Sequence, residues 1–557
     1  MVTRNSKFNS VIFVKYIIGF TMNGKVLIGL FLLLNIFTSD CLGQNLWLKT
    51  FGGSSNEEGS SIICLKDSTY VMIGGSSSTN GELLGLNKGG GDVYVHKLQS
   101  NSKKIWIKTY GGTRDDYGKS ITTSNDGGYV ITGYTKSSNG DFSGMNNSKY
   151  LDNDIYVIKI DTNGKIEWKK TFGGILDDRG YSITKVNDGG FVVTGYTDSP
   201  DGDFKDINKS SVRDIFAIKL DENGNLLWKR TFGGSMGIDF SNQIIPTSDG
   251  GCIITGNTSS NDGDFAGLLK GVTDVFVIKL NQSGIIQWKK TYGGSNSDYS
   301  MSIQSHIEGG YVLTGYSDSR NGDFDTGYND YDVFVLRIDD NGNKIWSTTF
   351  GGTSSDYGNS IIVSKDGNIL VTGFTNSYNG VFSGLTNGKI DCFVTKLNNS
   401  GKILWNRVYG GDGDDYGNSI VESGDGGYTI IGRTTSDDNT FINSGGSDIF
   451  VMKLNSNGNL TNTSSTNEFN EPTTTLSVHP NPFSNTTTIS YKFETPSIIN
   501  IELLNTLGQT IEVLRNDYSD SGTYQLTLNV SNLTSGMYSV RMRSGSSSMV
   551  VPVWVVK

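Results

Sequence analysis

Short alternations of apolar and polar residues, separated by glycine-rich turns, fill most of the chain after residue 44. The segments GYVITGYT, DIYVIKID and KIEWKKTF show the pattern, with β-branched and aromatic residues alternating with small or polar ones. A period of two residues predicts half-buried β-strands. The Asn-Gly and Asp-Gly-Gly turns between the segments supply the positive φ of tight hairpins. The pattern therefore predicts an all-β fold of short strands.

One unit of about 60 residues repeats along the chain and is marked by a tryptophan in a common phrase, as in IEWKKTFGG, LLWKRTFGG and IQWKKTYGG. A fixed period of this length without a helical pattern predicts β-propeller blades of four strands, A to D, with the tryptophan on strand D. Its recurrence in every unit favours packing between blades over a sugar-stacking role. The tryptophans are Trp47, Trp106, Trp168, Trp228, Trp288, Trp346 and Trp405.

The two ends of the repeat region complement each other. The region begins with a strand D phrase, NLWLKTFGG at 45–53, and stops at KLNSNGNL, 453–460, where the next strand D is due. If the first segment completes the last blade, no blade edge is left exposed. The sequence predicts a seven-bladed β-propeller at 45–460, closed by its N-terminal strand and followed by a small β-sandwich domain.

The repeated motifs resemble a known bacterial family. W-K-x-[FY]-G-G, D-[YD]-G-x-S-I and D-G-G-[YF]-x-[VI]-T-G-Y-T resemble β-propeller repeats of the SBBP type. The resemblance implies the propeller fold. It implies no particular activity, because one fold carries many functions.

The N-terminal residues 1–43 are predicted to be a secretory signal peptide, with Met22 as a possible true start. A lysine, an apolar run and then small and polar residues follow one another in NGKVLIGLFLLLNIFTSDCLGQ, and a lipoprotein site at Cys41 is the alternative. No other segment approaches 18 apolar residues, so we expect no membrane span. The mature protein should be secreted or lie on the outer cell surface, reaching it through the periplasm.

The C-terminal part has a different pattern. A polar linker is predicted at 461–475, and residues 476–557 contain short β segments without the propeller repeat. Three phrases, HPNPF, LNTLGQ and LTSGMY, and the terminal lysine resemble the type A sorting domain of the type IX secretion system. The resemblance implies that the type IX machinery is a partner, although Pro552 and Trp554 depart from the family's last strand. The motif residues are Pro480, Asn481, Pro482, Gly508, Gly536, Tyr538 and Lys557.

Charge and reactive residues exclude several function classes. The net charge of −10 comes without basic runs, so nucleic acid is not an expected partner. The cysteines of the repeat region lie in non-adjacent blades and are expected to be free thiols. No nucleophile elbow, zinc-binding HExxH or phosphate-binding loop is present, and the arginines lie at unrelated unit positions. We expect no enzyme and no cofactor.

Two repeated sets of carboxylates are the best candidates for chemistry. The first set follows each Gly-Gly pair. These carboxylates would either surround one mouth of the central channel or accept backbone N–H bonds, each in its own turn. Repetition in every unit favours the second alternative. Its members are Glu57, Asp116, Asp178, Asp239, Asp298, Asp356 and Asp415. The second set lies in Gly-Asp-Phe loops between strands B and C and consists of Asp141, Asp203, Asp264 and Asp323. Carboxylates are ligands for Ca²⁺, so these four are weak calcium candidates, although their spacing is not that of an EF-hand.

The sequence constrains the function of the protein less than its fold. The favoured hypothesis is a binding or adhesion protein that recognises an extracellular polymer or protein through its loop-rich face. The alternatives are a structural surface component without a discrete ligand and an extracellular glycan hydrolase. Units six, seven and one depart together from the Gly-Asp-Phe pattern, with Val381, Thr440 and Glu82, which favours a site near them.

Overall fold

The computed structural model describes residues 46–144, 152–208, 212–325, 330–438, 441–460, 475–493, 497–505, 509–519, 522–544 and 547–557. The predicted signal peptide, with Met22 and Cys41, lies outside these ranges, as does the predicted linker up to residue 474. The chain divides into two compact units, Met1–Leu460 and Thr461–Lys557. The described residues form an all-β structure, and none of them lies in a helix long and apolar enough to cross a membrane.

Seven antiparallel four-stranded sheets make up the described part of the first unit, as in a β-propeller. Strand β1 is Trp47–Phe51, and sheet 1 is β2 (Glu57–Cys64), β3 (Tyr70–Ser76), β4 (Asp92–Leu98) and β5 (Lys104–Tyr110). Sheet 2 is β6 (Asp116–Thr123), β7 (Tyr129–Thr135), β8 (Asp154–Ile160) and β9 (Ile166–Phe172); sheet 3 is β10 (Asp178–Lys185), β11 (Phe191–Thr197), β12 (Asp214–Leu220) and β13 (Leu226–Phe232). Sheet 4 is β14 (Asp239–Pro246), β15 (Cys252–Thr258), β16 (Asp274–Leu280) and β17 (Ile286–Tyr292).

The remaining three sheets follow the same order. Sheet 5 is β18 (Asp298–Ser305), β19 (Tyr311–Ser317), β22 (Asp332–Ile338) and β23 (Lys344–Phe350), with a small hairpin of β20 (Arg320–Asn321) and β21 (Phe324–Asp325) between its second and third strands. Sheet 6 is β24 (Asp356–Val363), β25 (Ile369–Thr375), β26 (Asp391–Leu397) and β27 (Ile403–Tyr409). Sheet 7 is β28 (Asp415–Glu422), β29 (Tyr428–Thr434) and β30 (Asp448–Leu454), with β1 as its fourth strand. The four strands of each sheet are called A to D in this order.

Strands B and C are buried on both faces, which corrects the prediction of half-buried strands. In β7 and β12, for example, every residue is buried. The reason is that each sheet is covered on both sides by its neighbours, so that hydrophobic clusters form between consecutive sheets rather than on one face. Successive side chains along these strands face one neighbouring sheet and then the other, so the alternation does not separate core from solvent.

Strand A is the common contact between sheets. Each strand A packs beside the strand A of the next sheet, and β28 of sheet 7 packs beside β2 of sheet 1. Strand β1 pairs with β30, with Trp47 opposite Lys453 and Phe51 opposite Ile449. A single hydrophobic cluster contains Trp47 together with Ile62 of sheet 1 and Ile431 of sheet 7.

The strand D tryptophans lie between neighbouring sheets, as the repeat predicted. The indole N–H of Trp168 donates to the carbonyl of Glu222 in the C–D turn of the next sheet, and its ring lies 6.4 Å from that of Phe191. The glycine of that turn, Gly224, has a φ of 79° and leaves room for the indole. This indole N–H bond recurs at five of the other six tryptophans.

The glycine of the T-G-Y-T motif is required by a close approach of strands A and B. A Cβ on Gly133 would lie 1.8 Å from the carbonyl oxygen of Tyr117, where strand A carries a bulge between Gly118 and Ser120. The equivalent glycine is equally constrained in the other six sheets.

The second unit contains two sheets that share one core. The first has the strand order β31 (Thr475–His479), β32 (Thr486–Phe493) and β35 (Gly522–Asn529). The second has the order β34 (Thr510–Ser519), β33 (Ser497–Leu504), β36 (Gly536–Ser544) and β37 (Ser547–Val555). Ile489 and Tyr491 of the first sheet pack with Ile499, Val540 and Val553 of the second. This is the packing of a small β-sandwich.

Candidate binding face

The first carboxylate set holds its own turns together. Asp116 is fully buried at the start of strand A and accepts hydrogen bonds from the Gly112 N–H (2.9 Å) and the Ser137 hydroxyl (2.8 Å). The corresponding glycine N–H reaches the carboxylate in all seven sheets. These groups therefore act as turn acceptors in the structure, in agreement with the interpretation that repetition favoured.

The weak calcium candidates also have protein partners. The carboxylates of Asp141, Asp203, Asp264 and Asp323 each accept a hydrogen bond from the first glycine N–H of the preceding Gly-Gly pair, at 3.0–3.2 Å. Lys88 and Lys270 form ion pairs with Asp141 and Asp323. Each aspartate belongs to a different sheet. Among the described residues no group of three or more His, Cys, Asp or Glu side chains could hold a metal ion.

A third acidic set, missed in the sequence, begins strand C of every sheet. Asp92, for example, is fully buried; its Oδ2 accepts the Lys88 N–H at 2.9 Å, while its Oδ1 has no hydrogen-bond partner. That oxygen faces the first glycine of the next Gly-Gly pair, beside the strand A carboxylate of the next sheet. A Cβ on Gly351 would meet Asp332 Oδ1 at 1.9 Å and Asp356 Oδ2 at 2.6 Å. The set is Asp92, Asp154, Asp214, Asp274, Asp332, Asp391 and Asp448.

Burial raises the pKa of these paired carboxyls. Burial, with the like charge of Asp116 adding to it, raises the pKa of Asp92 to about 6. The same causes raise the pKa of Asp332 to about 7, where Asp356 is the charged neighbour. Burial likewise raises the pKa of Asp356 to about 6. The acid pairs join neighbouring sheets and affect stability rather than presenting a reactive group to solvent.

The face formed by the D–A and B–C loops carries a set of side chains, one pair in each sheet, that we name the collar. In each sheet the second residue of strand A is paired across the strands with the sixth residue of strand B. The collar pairs are Glu58 and Gly75, Tyr117 and Tyr134, Arg179 and Tyr196, Phe240 and Asn257, Tyr299 and Tyr316, Tyr357 and Phe374, and Tyr416 and Arg433.

Sheets 5 to 7 give the collar a continuous aromatic row. Tyr299 stacks on Tyr316 with ring centroids 4.9 Å apart, and Tyr316 meets Tyr357 of the next sheet at 4.5 Å. Tyr357 stacks on Phe374 at 4.6 Å, and Phe374 meets Tyr416 of sheet 7 at 4.7 Å. All five rings are only half-buried.

Two further side chains lie beside the row. The Arg433 guanidinium lies 4.2 Å from the Tyr416 ring centroid. Tyr331, the residue before strand C of sheet 5, lies edge-on to Tyr316 at 5.3 Å, and burial raises its pKa to about 12. Tyr331 therefore offers a neutral ring at physiological pH.

Sheets 2 and 3 carry a second, more cationic part of the collar. Arg213 lies 3.7 Å from the ring centroid of Tyr196 and forms an ion pair with Asp198. Arg179 lies 4.7 Å from the ring of Tyr134 and pairs with Asp177. Guanidinium groups stacked on tyrosines and neutralised by carboxylates are thus the collar's own mode of packing.

None of the described histidines and cysteines is a collar residue, and at the collar the Tyr196 hydroxyl donates to the Asp177 carboxylate. His96 is buried and hydrogen-bonded to Tyr94, and burial lowers its pKa to about 3. His306 is also buried and contacts Arg337. Cys64 is half-buried and Cys252 and Cys392 are buried, all as free thiols. The collar tyrosines belong to the repeated sequence motifs, which do not by themselves place them on one surface.

The predicted sorting residues gather at one end of the second unit. The Asn481 side chain accepts a hydrogen bond from the Trp554 N–H and donates one to the Pro552 carbonyl, both at 2.8 Å. Pro480 and Pro482 flank it in cis peptide bonds. Pro552 lies on the edge strand β37, where its missing N–H breaks no ladder.

The remaining sorting residues lie around the β36–β37 hairpin. Gly536 pairs with Val555, and the Tyr538 hydroxyl donates to the Thr534 carbonyl at 3.0 Å. Lys557 donates its backbone N–H to Ser535 and its ammonium to the Ser531 carbonyl. Gly508 lies outside the described residues.

Fold and site together define a β-propeller with a loop-side aromatic surface, joined in one chain to a small β-sandwich. Residues 477–557 match the family model described as "Secretion system C-terminal sorting domain", and residues 345–380 match the model described as "Beta-propeller repeat". The chain therefore carries an SBBP-type propeller repeat and a type IX C-terminal sorting domain. The sorting domain implies export, to the medium or to the cell surface.

Comparisons with individual proteins are more distant. A 269-residue segment is 23% identical to the uncharacterized WD repeat-containing protein L264 of Acanthamoeba polyphaga mimivirus, covering 39% of this chain and only 19% of that protein. PorZ, a surface component of the type IX secretion system of Porphyromonas gingivalis, aligns over 91% of this chain and 60% of its own, at 12% identity and a TM-score of 0.36. A Xanthomonas campestris gluconolactonase aligns over 73% and 97%, at 10% identity and a TM-score of 0.32. At TM-scores this low, the structural alignments give no information about function.

Proposed function

We propose that the first unit is a closed seven-bladed propeller that acts outside the cell as a binding protein, with the collar as its recognition surface. Closure is supported by the pairing of β1 with β30 and by the packing of β28 beside β2. The type IX machinery would carry the folded propeller from the periplasm across the outer membrane, using the C-terminal domain.

The observation that carries the binding function is the half-buried aromatic row of sheets 5 to 7. Five rings from Tyr299 to Tyr416 lie within contact of one another and keep part of their area open to solvent. Rigid tyrosines offer large contact area at small entropic cost and are enriched where proteins bind partners. An extracellular polymer or protein is the ligand that such an extended row fits.

Two alternatives remain. A structural surface component would need no ligand, and a hydrolase acting on extracellular glycans would need two carboxyl groups held on either side of one sugar bond. At the collar, Arg179 pairs with Asp177, Arg213 pairs with Asp198, and both described histidines of the first unit are buried in structural contacts. Arg433 stacks on Tyr416, and Glu58 is a further acidic side chain. Because the aromatic row is the most extended feature of the collar, we propose a binding protein that is not an enzyme.

The test is a binding screen with the full chain against arrays of glycans and extracellular matrix proteins. A ligand found in this way should bind at least about tenfold more weakly to Tyr357→Ala, because each central ring of such a row contributes on the order of 1–2 kcal/mol. Tyr378→Ala is the matched control, since Tyr378 is an exposed tyrosine of the same sheet outside the collar. No ligand, or equal binding by both variants, would favour the structural alternative.

A further inference from the structure

Two glycines lie beside Tyr117, and one of them, Gly91, has no steric reason to be glycine. Neither Gly75, the strand B member of the collar in sheet 1, nor Gly91, just before strand C, has a positive φ. A Cβ on Gly75 would meet only the Tyr117 ring, at 3.3 and 3.8 Å. A Cβ on Gly91 would have its nearest neighbours, including Tyr117, at 3.6–3.9 Å, which is ordinary contact. The Tyr117 ring therefore lies directly against Gly75, and the space beside the ring is at Gly91.

The other sheets fill these two positions with side chains. In sheet 5 they hold Tyr316 and Tyr331, which pack on each other and on Tyr357 of the next sheet. In sheet 3 the position of Gly91 holds Arg213, whose guanidinium stacks on Tyr196 and pairs with Asp198. The backbone is the same at all three places, since the carbonyl before strand C accepts the N–H of the next strand A carboxylate residue. Sheet 1 therefore has the same backbone as sheets 3 and 5 at this place, but no side chain is stacked there.

Carboxylates lie on both sides of this recess. Glu58 is paired with Gly75 across strands A and B, so that its side chain projects on the same face. Asp115 Oδ1 accepts the Gly91 N–H at 3.0 Å and lies 3.9 Å from the Cβ position of Gly91. Both charges help to raise the pKa of the half-buried Tyr117, after burial itself. Among the described residues Glu58 has no ion-pair partner.

We propose that this recess, formed by Glu58, Gly75, Ser77, Gly91, Asp115 and Tyr117, accepts an arginine or lysine side chain of a partner protein. The inference rests on the proposed binding function and names the partner's chemistry. A guanidinium there stacks on Tyr117 and lies between two carboxylates, as Arg213 does on Tyr196 beside Asp198. The net charge of −10 also draws basic partners toward the protein.

The test uses the full chain and a fluorescein-labelled peptide of four Gly-Ser-Arg repeats, with a citrulline peptide as its neutral isostere. Fluorescence polarisation at near-physiological salt should show the arginine peptide binding at least about tenfold more tightly than the citrulline peptide. Gly91→Arg fills the recess from within, and Tyr117→Leu removes the ring. Each should weaken arginine-peptide binding about tenfold or more.

Two variants control for folding and charge. Gly91→Ala adds only a Cβ that the recess accommodates, and it should bind like the unaltered protein. Thr273→Arg adds the same charge at the equivalent position of sheet 4, and it should also bind normally.

The outcomes separate this inference from the proposed function. Equal binding of the arginine and citrulline peptides, or equal weakening by Gly91→Arg and Thr273→Arg, would overturn the cationic recess. If a ligand from the array screen depends on Tyr357 but not on Gly91→Arg, the collar binds ligands and the recess does not. If Gly91→Arg blocks a neutral oligosaccharide instead of the peptide, the recess takes a sugar ring and our assignment of a basic side chain is wrong.

Discussion

The indole of Trp47 packs edge-on against the ring of Tyr70, with ring centroids 6.2 Å apart, and so joins sheet 7 to sheet 1. Its N–H also donates to the Ser100 carbonyl of sheet 1 at 2.9 Å. Trp47→Ala should therefore lower the free energy of unfolding by about 3 kcal/mol or more, as for other buried aromatics. Urea unfolding followed by circular dichroism measures this change. Lys49→Ala, on an exposed position of the same strand, should have little effect.

Removing the whole strand is a stronger test of closure. A chain that begins at Ser54 lacks β1, exposes the edge of β30 and should aggregate or melt at a markedly lower temperature. A chain that begins at Asn45 and ends at Leu460 should fold normally, because Leu460 is the last residue of the first unit. Equal stability of the chains starting at Asn45 and Ser54 would refute the closed seven-bladed ring.

The inter-sheet acid pairs predict that stability depends on pH. The pKa of Asp332 is raised from 3.8 to about 7 by burial and by the nearby charge of Asp356. The folded state therefore binds this proton more tightly than the unfolded chain, and the contribution of the pair to stability falls as pH rises from about 4 to about 7. The melting temperature should be higher at pH 5 than at pH 8.

Asp332→Asn tests the origin of this dependence. The amide cannot ionise, so the variant should be more stable than the unaltered protein at pH 8, by on the order of 1 kcal/mol, and its melting temperature should change less between pH 5 and pH 8. Asp437→Asn changes an exposed aspartate and should leave the pH profile as it is. A profile that Asp332→Asn does not flatten would assign the pH dependence to other groups.

The parts of the fold that could be predicted from sequence are those that every unit repeats. The tryptophan phrase, the turn glycines and the carboxylate after each Gly-Gly pair recur because each sheet needs them, so position in the unit predicts their role. The collar could not be found in this way. Tyr117 and Tyr134 face each other only through the strand register, and their residue types change from sheet to sheet.

Two other differences between the sequence predictions and the structure also arise because one unit does not show its neighbours. Strands B and C alternate because they have two different neighbours, which a single unit does not reveal. The strand C aspartates, such as Asp92, recur in all seven units, but the strand pattern predicts only that they begin a strand and not that they pair with strand A carboxylates. Variation at a fixed unit position, as at Gly75 and Gly91, is the signal that separates binding surface from framework.

Calcium removal should leave the propeller unchanged. The Asp203 carboxylate already accepts the Gly173 N–H at 3.1 Å, and sheet 6 keeps the equivalent loop with Val381 at this position, which is bonded through its backbone N–H and carbonyl. We expect the same melting temperature with and without a chelator. Asp203→Val should cost about 1 kcal/mol in either condition, as the loss of one hydrogen bond. A chelator-induced drop that Asp203→Val abolishes would restore the calcium hypothesis.

We predict that export through the type IX machinery depends on Asn481, because Asn481 fixes the conformation of the C-terminal strand. Asn481 bonds the Trp554 N–H and the Pro552 carbonyl, and next to it Phe483 exchanges backbone bonds with Trp554 and Val556. These contacts cover the outer end of the edge strand β37, where Pro552 donates no hydrogen bond. Without the amide, residues 552–557 lose two of their anchors and should fray.

Asn481→Ala should therefore reduce the exported fraction severalfold and leave the protein in the periplasm with the propeller folded. Immunoblots of medium, cell-surface and periplasmic fractions measure this in a bacterium that has the secretion machinery. Asn485→Ala makes the same change at an exposed asparagine and should be exported normally. Asn481→Asp keeps the acceptor for the Trp554 N–H but loses the donor to Pro552, so intermediate export is expected. If Asn481→Ala were exported as well as the unaltered protein, recognition would not depend on how this segment holds the last strand.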